Sequence, residues 1–286
     1  MDLHSTIRKI LKEETQEKKI LKFPSLDFFD EDREVAWDII QKILERKGNP
    51  PYSIEGDLDL SGFRIYSLGN LQSVSGSLYL KNTPLESLGN LQSVGGYLDI
   101  SSSSITSLGD LQSVGEHFFL RDTPIKSLGN LQSVGGDLVL GNTPIESLGS
   151  LQSVGGNLYL GNTPIKSLGN LQYIGGFLSL ANTPIESLGN LQSVGGNLNL
   201  IGTQVKSLGD LQSVGGSLDL DGTPIESLGN LISVGKSLYL KNTPIKSLGN
   251  LQSVGGSLNL FQTPISKKYS KKEIRQMINV GEEIYL

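Results

Sequence analysis

A parallel β-solenoid is the fold this sequence predicts, and three observations carry the prediction. First, a unit of twenty residues recurs with no insertion or deletion from Asp57 to Ser266. One copy reads GGDLVLGNTPI (Gly135 to Ile145) followed by ESLGSLQSV (Glu146 to Val154). Second, each copy carries the same six apolar slots, shown by Leu138, Leu140, Ile145, Leu148, Leu151 and Val154. Third, Leu138-Val139-Leu140 alternates inward, outward, inward, which is the period of a strand. A unit this short cannot bury its own apolar side, so coils must stack and turn the slots into continuous aliphatic ladders. The expectation is a single parallel sheet of about eleven or twelve strands at about 4.8 Å spacing. An α-helical N-terminal cap and a short C-terminal helix should close it. Eleven strands, from Leu58 to Leu260, would make a rod about 50 Å long.

Within each coil the non-aliphatic slots have their own reasons. Gly69 and its equivalents through Gly249 are glycine in every coil, which points to a turn with positive φ. The Gly-Gly pair before the strand is looser, since Ser75, Glu116 and Lys236 each replace one member. Thr83, Thr123, Thr143, Thr163, Thr183, Thr203, Thr223, Thr243 and Thr263 share a slot, usually followed by Pro. An inward hydroxyl there would satisfy backbone groups that the turn leaves unpaired. Pro suits the same turn because it fixes φ and needs no amide partner.

The pattern L-x-L-x-x-T-P-I over residues 57–266 resembles leucine-rich-repeat solenoids, nearest to the short variant of receptor L-domains, where Gly precedes each L-x-L strand. The wording SLGNLQSVGG-L-L-NTPI is also similar to repeat proteins encoded by tailed phages of marine bacteria. This second likeness implies a phage origin. Twenty residues leave no room for a convex-side helix, so a nearly straight rod is expected in place of a horseshoe.

The ends differ in composition. Residues 1–50 are charged, repeat-free and helical in pattern. Leu3, Ile7, Ile10 and Leu11 fall on one helical face. A second helix should begin after Asp30 as N-cap, with Val35, Ala36, Ile39, Ile40, Ile43 and Leu44 as its apolar stripe. Gly48 and Pro50-Pro51 should end it. This segment either caps the first coil or, beyond the charged stretch Glu13 to Lys19, docks its first helix into a partner such as a virion surface. Phe23, Phe28, Phe29 and Trp37 serve either purpose. The solenoid then occupies residues 51–266 and a C-terminal cap 267–286. There Ser270 to Glu273 reads as a capping box opening a helix to about Val280, with Ile274, Met277 and Ile278 facing the last coil. Ile284-Tyr285-Leu286 should add a twelfth strand and so help protect an open sheet edge.

The chain has no cysteine and a net charge of −5, with charges scattered, which argues against thiolate metal sites and a nucleic-acid footprint. No apolar run reaches membrane-spanning length and residues 1–20 lack a signal peptide's apolar core. A cytoplasmic or virion-associated protein, without cofactor, is expected.

Function is sought first on the outer face of the predicted sheet. Its outward slots vary and hold Tyr79, Tyr97, His117, Phe119, Arg121, Tyr159 and Phe177. Tyr97 should lie beside His117, and Phe119 beside Val139 and then Tyr159. Exposed aromatics of this kind anchor recognition surfaces; the plainer reading is that β-forming residues suit an exposed strand. The expected function is non-catalytic binding of a protein, or of a glycan, through this face. A virion accessory protein attached by its N-terminal helices is the alternative.

Other slots read as structural. Glu and Lys alternate from Lys126 to Lys246, so that like charges never adjoin. The Asn slot from Asn70 to Asn250 is a turn ladder and lacks the dense Asp of calcium-binding repeats. Ice binding through the Thr row would need those hydroxyls outward. His4, His117, Asp219 and Asp221 are the only hints of acid–base chemistry, and no desolvated cleft is implied for them.

Overall fold

The computed structural model describes residues 2–12, 20–28 and 32–286. The chain is a parallel β-solenoid of about ten turns on two parallel sheets, with short helices at the N- and C-terminal ends. It divides into two compact units, residues 1–135 and 136–286.

The N-terminal unit opens with α1 (Leu3–Lys12), which buries Leu3 and Ile7 and leaves Ile10 and Leu11 half-buried. Next comes a strand, β1 (Leu21–Pro24), which pairs in parallel with β2 (Tyr52–Glu55), Leu21 opposite Tyr52 and Phe23 opposite Ile54. The first fifty residues are therefore not wholly helical. Phe23 is fully buried and meets Tyr52 edge-on at 5.8 Å. The Tyr52 hydroxyl donates to the Leu68 carbonyl at 2.7 Å and accepts from Gln41 Nε2 at 2.8 Å. Burial pushes that hydroxyl well above the ordinary tyrosine range.

The second helix, α2, runs Arg33–Arg46, and its cap is Asp32, whose carboxylate accepts from the Glu34 N–H at 2.9 Å. The expected cap, Asp30, lies outside the described residues, as do Glu31, Phe29 and Glu13 to Lys19. Asp32 suits the role because a capping carboxylate must sit within reach of an amide in the first turn. The buried stripe is Ala36, Trp37, Ile40 and Leu44, so the helix is rotated away from Val35, which is 51% exposed. Trp37 turns inward as core. Arg33 Nη1 bonds Asp59 Oδ2 at 2.9 Å and ties α2 to the first L-x-L strand. Leu3, Ile7, Trp37 and Ile40 are each no more than 2% exposed.

Where one sheet was expected, two are present. The L-x-L segments pair in register, Leu78 with Leu98 in the N-terminal unit and Leu138 with Leu158 in the C-terminal unit. The second sheet is made by the Ser-Val dipeptides: Ser93 faces Ser113 and Val94 faces Val114, and in the other unit Ser193 faces Ser213. In the N-terminal unit this sheet includes β1 and β2. A two-residue strand ending at a glycine pair is too short to show a period of two, so it reads only as a single apolar slot.

All six apolar slots are core: Leu138, Leu140, Ile145, Leu148, Leu151 and Val154 are each no more than 1% exposed. The threonines are buried too, and each staples its own coil. Thr183 Oγ1 donates to the Leu180 carbonyl at 2.7 Å, and Ser103 does the same to Ile100 at 2.6 Å. Two residues per coil are left-handed. One is the expected glycine, such as Gly189 at φ +58. The other precedes the threonine, as in Asn142, Asn162 and Asn182 at φ 59 to 60, where Asn tolerates the conformation through its short polar side chain. The first glycine of each pair is needed for room: a Cβ on Gly175 would stand 2.0 Å from the Gly155 carbonyl oxygen of the preceding coil.

At the C-terminal end, α3 (Pro264–Lys268) precedes α4 (Lys271–Met277), which Ser270 and Glu273 open through the expected capping box. Ile274 and Ile278 are buried, but Met277 is 51% exposed, because the helix stops there. Asn279–Val280 returns to the Ser-Val sheet and Ile284–Tyr285 to the L-x-L sheet, Ile284 opposite Leu258.

Gly175→Ala should cost about 2 kcal/mol or more, since an added methyl meets backbone and not a movable side chain. Thr183→Val should cost about 1 kcal/mol by losing its hydroxyl donor, and Thr183→Ser should recover most of that. Chemical denaturation of the three variants checks both, and an unchanged midpoint for Gly175→Ala would refute the close coil-to-coil approach.

Candidate functional site

The outward slots of the L-x-L sheet are not interchangeable positions. In most coils a short polar residue there closes a backbone hydrogen bond. Asp57 Oδ1 accepts from the Ser77 N–H at 2.7 Å, and Ser77 Oγ from Tyr97 N–H at 3.1 Å. In the C-terminal unit Asp137 does this for Asn157, Asn157 for Phe177 and Asn197 for Ser217, at 2.7 to 2.8 Å. Two residues later in the coil, Asp59, Asp99, Asn199, Asp219 and Asn259 each accept from the N–H two positions on, at 2.9 to 3.1 Å. These are Asx turns that end the strand.

Phenylalanine and tyrosine rings in these slots cannot perform that duty, because ring carbons offer no lone pair, whereas the imidazole of His117 keeps an acceptor nitrogen. Among the described residues, the Asn197 N–H that follows Phe177 makes no hydrogen bond. At Phe177 the coil thus gives up a staple, whereas behind Tyr239 the Lys241 N–H is held by Asp221 at 2.7 Å. Sequence reading took the whole face as freely variable, whereas the structure separates its polar staples from its rings.

The N-terminal unit holds the tightest group of rings. Tyr97 and His117 stack with centroids 5.2 Å apart and planes within 7°, as the sequence anticipated. Phe119 joins on the same strand, 6.1 Å from His117 at 25°. Tyr97 is 37% exposed, and its hydroxyl bonds the Glu116 carboxylate, whose charge raises the phenol's pKa. Tyr79 is not brought into the stack, since Asp99 stands between it and Phe119 in the strand register. Arg121 is exposed where that strand ends.

In the C-terminal unit Tyr159 and Phe177 meet at 6.1 Å with a 50° tilt. Val139, read as outward, is only 5% exposed, and it lies opposite Tyr159 in the register. Sequence reasoning passed over Ile201 and Phe261, which are 45% and 44% exposed in this unit, while Tyr285 of the final strand is 51% exposed. Lys241 Nζ sits 5.8 Å from the Phe261 ring centre. The third outward slot, running Ile201, Asp221, Lys241, Phe261, was the available signal.

The remaining polar groups are occupied with structure. Asp219 accepts from Asp221 N–H at 3.1 Å, and Asp221 accepts from Lys241 N–H at 2.7 Å. Asp219 is half-buried, not fully solvated as expected, and this burial raises its pKa. Lys206 pairs with Glu186 at 3.7 Å and Lys246 with Glu226 at 2.8 Å, as charge alternation requires. Asn90 Nδ2 donates to Asn70 Oδ1 at 2.9 Å, which starts the expected turn ladder. The side chain of His4 lies outside the described residues.

No family model, curated protein or solved structure matches the chain. Among the described residues, no helix is long and apolar enough to cross a membrane.

Asn157→Ala should cost about 1 kcal/mol, because the Phe177 N–H loses its acceptor. Phe177→Asn should leave stability within about 0.5 kcal/mol of the parent, since the new amide staples Asn197 and offsets lost ring contact. Paired urea titrations check this, and a large loss for Phe177→Asn would assign that ring to the fold.

Proposed function

We propose that the protein is a non-catalytic binding module that recognises a protein partner through the aromatic patch on its L-x-L sheet. One observation carries the reading: Tyr97, His117 and Phe119 form a continuous stack, and Tyr97 and Phe119 stand at positions where a short polar residue would serve the coil better. Residues that break a local folding rule without a folding gain are the ones to suspect of function. Partly exposed aromatics add large, rigid contact area at low entropic cost, which is what binding hot spots require.

A protein partner suits the patch better than a glycan. Tyr97 and His117 lie face to face and Phe119 stacks on His117, so the stack has fewer open ring faces than three separate rings and presents mainly ring edges. Saccharide recognition by stacking needs an open ring face. Ring edges flanked by Glu116 and Arg121 instead suit a mixed apolar and polar peptide surface. Tyr159 and Phe177 supply a second aromatic contact in the C-terminal unit. We group the coil with leucine-rich-repeat solenoids on the strength of L-x-L-x-x-T-P-I.

Affinity capture from the source cell, using the parent and a Tyr97→Ser/Phe119→Ser variant side by side, tests the assignment. The partner should be lost from the variant, corresponding to about 2–4 kcal/mol for two hot-spot rings. The melting temperature should stay close to the parent's. A partner captured equally by both proteins would remove this patch from consideration.

A further inference from the structure

We infer that a groove between α1 and α2 is a docking site for an acidic amphipathic helix of a partner protein. The groove measures about 420 Å³. Its floor is Ile7 and Leu11 from α1 and Ile39 and Ile43 from α2. In both helices the floor residues are four positions apart, so each helix contributes one straight apolar row. Ile7 is buried, whereas Leu11, Ile39 and Ile43 are half-exposed with no chain segment among the described residues seated over them.

The rim supplies the charge. Arg8, Lys42, Arg46 and Lys47 line it, and among the described residues no carboxylate does. Lys42 has a loose pair with Asp38 at 4.0 Å, while Arg8, Arg46 and Lys47 make no ion pair among the described residues. Four cations gathered on a chain of net charge −5 are a local reversal of sign. Electrostatic complementarity of this kind selects a partner and speeds encounter.

Shape and spacing choose among negatively charged occupants. A bilayer is met by protruding apolar side chains, and this floor is concave. A single-headed amphiphile answers one cation and leaves the others. Lys42 and Arg46 lie one helical turn apart, about 6 Å along α2, which is the spacing of carboxylates four residues apart on a partner helix. A ridge of leucines from such a helix fills a slot between two helices as ridges fill grooves elsewhere. This site is separate from the aromatic patch and does not depend on it.

The test uses the full chain and a fluorescent peptide of about sixteen residues, long enough for helical structure, with leucines spaced i, i+3, i+4, i+7 and flanking glutamates. Fluorescence anisotropy should give a micromolar dissociation constant that weakens as salt is raised. Lys42→Glu/Arg46→Glu, and separately Arg8→Glu, should each weaken it about tenfold or more. Ile39→Ser/Ile43→Ser should do likewise, with unchanged circular dichroism in every variant. Tyr97→Ser/Phe119→Ser should bind the peptide as the parent does. Equal affinity for a peptide with lysine in place of each glutamate would overturn the proposal. So would peptide affinity indifferent to all these groove variants. Flotation of the chain with anionic vesicles in place of peptide binding, or self-association abolished by Ile39→Ser/Ile43→Ser, would each assign the groove to a different occupant and overturn it as well.

Discussion

Backbone-to-backbone approach between successive coils is the constraint on which this fold depends. At the first glycine of each Gly-Gly pair, the chain passes so close to the preceding coil that a methyl group would overlap a carbonyl oxygen. That approach lets the Ser-Val dipeptides pair with almost no strand length, and it holds the period at twenty residues. The second glycine is crowded as well, a Cβ on Gly196 standing 2.7 Å from the Gly176 carbonyl carbon, yet Glu116 and Lys236 occupy that slot and Ser75 the first. Once the period is held, identical slots superpose, and aliphatic ladders follow without further instruction.

Much of this was legible beforehand because repetition converts one coil into many readings of the same slot. The six apolar positions, the positive-φ glycine, the inward threonine and the final strand at Ile284 all showed as patterns. The Ser-Val sheet did not, because two extended residues beside glycine carry no periodicity. The N-terminal strand Leu21–Pro24 was hidden for another reason. It occurs once, outside the repeat, and its pairing with Tyr52–Glu55 is a contact between distant parts of the chain.

Legibility of the candidate site had a different limit. The rings were visible, and so was the neighbour relation of Tyr97 and His117, because register places equivalent slots side by side. What could not be read was the work done by Asp59, Asp99, Asn157 and Asn199 on the same face. Aspartate and asparagine on an exposed strand look like surface variation. Only hydrogen-bond geometry distinguishes a staple from a spare residue. Met277 and Val35 mislead in the opposite sense, being apolar residues at helical spacing that the helices turn outward.

The charge alternation has a consequence for how such an array changes length. Lys206 is bonded to Glu186 and Lys246 to Glu226, so the sign pattern repeats only every second coil. Excising the coil that carries Lys206 would set Glu186 against Glu226, two carboxylates one strand apart. Excising two coils restores every pairing. Near-identical DNA repeats invite unequal recombination, yet the polypeptide they encode favours gain or loss of coils in pairs, and even-numbered change is the mark this selection would leave.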